Sequence, residues 1–129
     1  MNGARQRILV IEDDSFLLKM YEAALSREGF EVLSTADGQT GLKLAKEKKP
    51  DLILLDLILP RLDGFAVLKR LKKDQATSGI PVLILSNLGQ EADIERGLKL
   101  GASDYLIKTE HTVKQVGEKI RQTLKKNQG

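Results

Sequence analysis

Three short runs, residues 8–11, 52–55 and 82–85, are apolar at every position. A strand with one wet face alternates apolar and polar residues, whereas a strand covered on both faces does not, so these runs predict buried parallel strands. Two more mixed stretches, residues 30–34 and 105–107, predict shorter strands, and Glu31 suits the first of them to a sheet edge. Between the runs the apolar period lengthens to that of a helix. Leu17, Met20, Tyr21, Ala24 and Leu25 form a stripe that Gly29 ends, and Leu44, Ala45 and Lys48 continue a second from Gly41 to Pro50. Val67, Leu68 and Leu71 follow Gly64 in a third. Ile94, Gly97, Leu98 and Gly101 mark a fourth, and Val113, Val116, Gly117, Ile120 and Leu124 a fifth. The Leu and Ile of these stripes are expected in the core.

Strand and helix thus alternate five times, with no long linker. Such alternation predicts an α/β fold of parallel strands joined by right-handed crossovers, a doubly wound (βα)5 sandwich of three layers. With the three apolar strands central, the expected strand order is 2-1-3-4-5, and ligands bind beyond the carboxyl ends of the strands.

Composition narrows the chemistry. The 129 residues contain no cysteine, which removes disulfides, thiolate metal sites and Cys nucleophiles, and His111 is the single histidine. The longest apolar stretch, residues 52–59, is broken by Asp56 and far too short to span a bilayer, so no membrane insertion is expected and the chain reads as a soluble protein of a reducing compartment. A net charge of +3 gives no reason to expect direct contact with nucleic acid. That charge is uneven: from His111 onward Lys114, Lys119, Arg121, Lys125 and Lys126 face only Glu118, which makes the last helix basic and a candidate surface for an acidic partner.

The strand ends carry the candidate chemistry. Glu12-Asp13-Asp14 follow strand 1, Asp56 follows strand 3, Ser86-Asn87 follow strand 4 and Lys108 follows strand 5. A parallel sheet brings all four ends to one edge. Carboxylates gathered there repel each other by about 4 kcal/mol per close pair at a protein surface, so a cation is required. Hard carboxylate oxygens suit Mg²⁺ or Mn²⁺, and Lys108 supplies a fixed charge. Asp14-Ser15 read as a cap for the first helix, and His111 as a surface residue with no special role.

These motifs, with Leu57-Ile58-Leu59-Pro60, Asp63-Gly64 and Gly101-Ala102-Ser103-Asp104-Tyr105-Leu106-Ile107-Lys108, resemble the receiver domain of two-component response regulators, a flavodoxin-like fold. The resemblance covers about residues 7–124 and implies a phosphorylation switch. Asp56 is then the phosphoacceptor, served by a sensor histidine kinase or a histidine phosphotransfer protein. Glu12, Asp13, Asp56 and the backbone carbonyl of Ile58 are implied as Mg²⁺ ligands, with no organic cofactor. Lys108 and Ser86 are implied to contact the phosphoryl group, Ser86 and Tyr105 to switch, and Ile58, Asn87 and Leu88 to tune its lifetime. The signal is implied to leave through helix 4, strand 5 and helix 5 toward a downstream protein, from a monomer or a phosphorylation-dependent dimer. Residues 1–129 are expected to be one receiver domain without an output domain, a switch rather than a turnover enzyme.

Two departures bear on those expectations. Thr109 stands where the family usually has proline, and Asn87 where it usually has a small residue. They keep open a partner-binding module that is never phosphorylated. An FMN-binding protein of the same architecture fits less well, because Glu12-Asp13-Asp14 repels a phosphate where such proteins need a Ser/Thr/Gly-rich loop. A haloacid-dehalogenase-like phosphatase fits less well too, since it wants an Asp-x-Asp nucleophile at strand 1 and a cap insertion.

Overall fold

Strand β1 (Arg7–Ile11) lies between β2 (Glu31–Thr35) and β3 (Leu52–Leu55), and β4 (Val82–Ser86) and β5 (Asp104–Ile107) continue the sheet beyond β3. All pairings are parallel and the order is β2-β1-β3-β4-β5. The computed structural model describes residues 5–128. Helices α1 (Ser15–Arg27), α2 (Gly38–Lys48), α3 (Gly64–Lys73), α4 (Glu91–Lys99) and α5 (Val113–Gln128) make the crossovers.

The unbroken apolar runs resolve into two cores by strand alternation. Leu9, Ile11, Ile53, Leu55, Val82 and Ile84 point to the side where Ala45 of α2 and Val67, Leu68 and Leu71 of α3 pack. Ile8, Val10, Leu52, Leu54, Leu83 and Leu85 point to the other side, against Tyr21 and Leu25 of α1 and Val116, Ile120 and Leu124 of α5. That is why residues 8–11, 52–55 and 82–85 show no polar alternation: both faces are dry, in the three layers expected.

The helix starts follow local chemistry. Asp14 caps α1, accepting from the backbone N–H groups of Phe16 and Leu17 at 3.0 and 3.1 Å, the role expected of it. Asp37 and Asp63 cap α2 and α3 in the same way. Helix α4 has no side-chain cap and buries only Gly97.

Two large apolar residues of the helical stripes lie outside the core. Met20 is 38% exposed, because α1 turns Tyr21 and Leu25 inward and Met20 stands about a quarter-turn away. Leu98 is 45% exposed for a related reason. A Cβ on Gly97 would stand 2.6 Å from the Ile84 Cδ1 and 3.1 Å from the Tyr105 ring, so α4 rests on its glycine and points the next residue outward. Helix α2 also begins three residues before Gly41, at Gly38.

Candidate functional site

The register assembles the site. Ile11 pairs with Leu55, so Glu12 and Asp56 leave adjacent strands side by side. Ser86 pairs with Ile107, which sets Lys108 next to the end of β4. Backbone bonds hold these strand ends: the Asp56 N–H donates to the Ile11 carbonyl at 3.0 Å, and the Glu12 N–H to the Thr35 carbonyl at 3.0 Å.

Ligand oxygens of Glu12, Asp13 and Asp56 lie within 4.8 Å of one another, with Glu12 and Asp56 buried and Asp13 exposed. Lys108 closes the other side. Its Nζ stands 2.6 Å from Glu12 Oε1 and 2.9 Å from Asp56 Oδ2, with only 12% of its side chain exposed. The second carboxylate oxygens are engaged as well. The Asp14 N–H donates to Glu12 Oε2 at 3.0 Å, and the Ile58 N–H to Asp56 Oδ1 at 3.2 Å.

Burial raises the Glu12 pKa above the usual carboxylate range, more than its hydrogen bonds from Lys108 and the Asp14 N–H lower it, and the Asp56 charge adds to the rise. Burial acts on Lys108 in the opposite direction, but its hydrogen bonds to Glu12 and Asp56 outweigh it, so the ammonium is held above its ordinary pKa. Three carboxylates against one ammonium leave the site two charges negative. Bond lengths of about 2.1 Å place opposite ligands of Mg²⁺ about 4.2 Å apart, so closing the 4.8 Å set onto the ion takes only small side-chain movements. The donors are hard oxygens, the type this ion selects. The cluster therefore fits a divalent cation.

Ser86 is fully buried, and its Oγ accepts from the Leu88 N–H at 3.4 Å. It caps nothing in α4, which starts after Gln90. Tyr105 is also buried, and its hydroxyl donates to the Leu88 carbonyl, tying β5 to the loop between β4 and α4. Asn87 is exposed, while Leu88 is half-buried against the core shared by α2 and α3. Ile58 is 53% exposed at the rim. Among the described residues every peptide bond is trans, the Lys108–Thr109 bond included, and Lys108–Glu110 form a 3-10 turn. His111 is half-buried, with Nδ1 3.0 Å from the Ile107 carbonyl, so it braces that turn rather than standing free.

The Tyr105 phenol is pushed up to about 12 by burial, with Asp93 and Asp56 adding to the shift. An unfolded tyrosine ionises near pH 10, so the native state keeps this proton longer. The stability this gives is complete below about pH 10 and is lost as pH rises toward about 12. The absorbance titration of the protein minus that of Tyr105→Phe is expected to isolate a phenol with that high midpoint; a midpoint near 10 would place the ring in water.

Two close contacts escape the sequence. Gly64 admits α3 against the backbone that carries Asp56: a Cβ there would stand 2.4 Å from the Asp56 carbonyl oxygen and 2.4 Å from the Leu57 Cα. Arg96 of α4 lays its guanidinium 4.1 Å from the centre of the Phe65 ring of α3, a cation–π contact between the two helices. The Asp63-Gly64 pair marked the first position without its reason, and helix spacing alone carries no signal for the second.

A family model described as the response regulator receiver domain matches residues 8–121. The chain belongs to this family. It is a receiver domain of two-component systems, a class that is generally not a turnover enzyme. It is 46% identical over 102 residues to the DNA-binding dual master transcriptional regulator RpaA of Synechocystis, a match covering 79% of this chain and 42% of RpaA. Identity to the DNA-binding response regulator MtrA of Mycobacterium tuberculosis is 38% over 127 residues, 98% of this chain and 54% of MtrA. The receiver domain spans about half the length of the curated relatives it matches. Among solved structures, a CheY-like response regulator receiver domain protein from Methanospirillum hungatei superposes with a TM-score of 0.90 at 26% identity, over 97% of this chain and 98% of that one. Among the described residues no helix is long and apolar enough to cross a membrane.

Proposed function

We propose that the receiver accepts a phosphoryl group on Asp56 from a phosphohistidine of a sensor kinase or phosphotransfer protein. An Asp56 carboxylate oxygen attacks phosphorus, the P–N bond to the donor imidazole breaks, and the bonding pair leaves with that nitrogen. Glu12, Asp13, Asp56 and the Ile58 carbonyl would hold Mg²⁺, which supplies charge neutralisation for the transferring phosphoryl group. Lys108 exchanges its contact with the Asp56 carboxylate for one with the phosphoryl oxygens. The Ser86 hydroxyl donates to another. Because the Tyr105 hydroxyl and the Leu88 carbonyl already join β5 to the loop after Ser86, a shift of that loop is transmitted to α4, β5 and α5. Residues 1–129 act as one domain, in the cytoplasm, through a downstream protein rather than by touching nucleic acid, and as a monomer or a phosphorylation-dependent dimer. Any DNA binding named for the relatives belongs to those longer proteins.

The observation that carries this reading is Lys108 Nζ set between two buried carboxylates at 2.6 and 2.9 Å, with a third acid in reach. Incubation with acetyl phosphate and Mg²⁺ is expected to add one phosphoryl mass, lost without the ion and in Asp56→Asn. No gain, even with a cognate kinase, would leave an unphosphorylated partner-binding module.

Of the three tuning positions, Ile58 and Leu88 carry apolar side chains that cannot orient a water molecule. The acyl phosphate is accordingly expected to be long-lived, and Ile58→Gln to shorten its lifetime several-fold in a phosphate-release assay. Rapid release from the unaltered protein with Mg²⁺ present would contradict this.

A further inference from the structure

Helices α2 and α3 enclose a groove of about 310 Å³. Leu42, Leu71 and Thr77 form its base, and Lys43, Lys46, Arg70 and Asp74 its rim. Lys49, just past α2, is close enough for its charge to act on Asp74. Three cations thus line the groove beside one carboxylate, with Lys49 a fourth nearby. Lys46 and Asp74 pair across the groove at 3.6 Å, but both are well exposed, and such a pair is easily exchanged for another. The groove runs toward the amino edge of the sheet: the Lys48 carbonyl at the end of α2 accepts from Arg7, where β1 begins. Asp56 and Lys108 lie at the opposite edge, so an occupant here leaves the phosphoacceptor free.

The basic helix α5 is a weaker candidate than its sequence implies. Lys119 pairs with Asp104 at 3.0 Å and Arg121 with Glu28, so two of its cations are already neutralised within the domain.

We propose that the α2–α3 groove docks an acidic segment of a partner protein, with carboxylates on Lys43, Lys46, Lys49 and Arg70 and one apolar side chain over Leu42. Charge complementarity favours this occupant. A nucleic acid carries a phosphate at every step and would bring one against Asp74, whereas a peptide places its acids selectively. A membrane surface needs exposed apolar residues, and the exposed large ones, Phe16, Met20, Ile58 and Leu98, line no part of this groove.

The test is amide-shift mapping on the ¹⁵N-labelled full chain, with a synthetic peptide of glutamates around a single leucine as probe. Shifts are expected at residues 39–49 and 70–77. The variant Lys43→Glu/Lys46→Glu/Arg70→Glu is expected to bind about tenfold more weakly, and Lys114→Glu/Lys125→Glu/Lys126→Glu to bind as the parent does. Both variants should still gain a phosphoryl group from acetyl phosphate with Mg²⁺, which shows that they are folded. Shifts centred on α5, or equal binding by the groove variant, would overturn the proposal. Tighter binding of a DNA duplex or of phosphatidylglycerol vesicles to the same amides would overturn it in favour of that class of ligand.

Discussion

Replacing Lys108 with methionine is expected to lower stability by about 3 kcal/mol at neutral pH in the presence of a chelator. The substitution keeps most of the aliphatic volume and removes only the ammonium, which bridges Glu12 and Asp56. Those residues are 3% and 4% exposed, so two carboxylates would remain buried without a cation, the circumstance in which deleting one ionic partner is most costly. The dependence on pH has a defined sign. Lys108 is held above its ordinary pKa, so its contribution is fully present at neutral pH and is lost only as pH rises through that elevated value. Glu12 is raised too, and a raised carboxyl favours the native state below about 4.5 and loses that advantage as pH climbs through its native pKa. The deficit of Lys108→Met should therefore shrink toward pH 4 and grow toward 7. Mg²⁺ should restore part of it. Urea titrations of both proteins at the two pH values, with chelator or Mg²⁺, measure this; a midpoint unchanged by the substitution would mean that the ammonium does not offset the acids.

Gly64→Ala is expected to cost about as much, roughly 3 kcal/mol, at the upper end of ordinary overpacking. Both atoms that the new methyl would meet at 2.4 Å belong to the backbone, of Asp56 and of Leu57, and backbone has no rotamer by which to yield. Either α3 moves away from the sheet or the strand end carrying Asp56 shifts. The hydrogen bond from the Gly64 N–H to the Leu57 carbonyl, 2.9 Å, lies in the same contact and is strained with it. Stability and the rate of phosphoryl acceptance should thus fall together. Gly79→Ala is the control, because a Cβ there meets nothing within 4 Å, and its effect should stay within about 0.5 kcal/mol. Equal denaturation midpoints for the two variants would show that α3 does not depend on this close approach.

Much of this architecture is legible in the chain because two-sided burial leaves a direct mark. Residues 8–11, 52–55 and 82–85 are apolar without alternation since each faces a core on both sides. Glu12, Asp56, Ser86 and Lys108 could be found as a group because a parallel sheet turns distant strand ends into neighbours. What stayed hidden depends on distances between elements. Helical periodicity placed Leu98 inside, but the approach of Gly97 to Ile84 and Tyr105 rotates it outward. A glycine at a close contact looks like any other until its neighbours are known. Charge summed along the chain does not show which cations already have partners. The excess on α5 is partly spent on Asp104 and Glu28, while α2 and α3, far apart in sequence, bring Lys43, Lys46 and Arg70 around one groove.

Asp56, on the reading proposed above, is the residue that carries the phosphoryl group. Borohydride reduction of the protein after treatment with acetyl phosphate and Mg²⁺ traps an acyl phosphate as an alcohol, and peptide mass mapping then locates it. The expected result is a single reduced residue, Asp56, absent when Mg²⁺ is omitted. A modification at Asp13, Glu12 or Ser86 instead, or none in protein that has gained the phosphoryl mass, would rule out Asp56 as the acceptor.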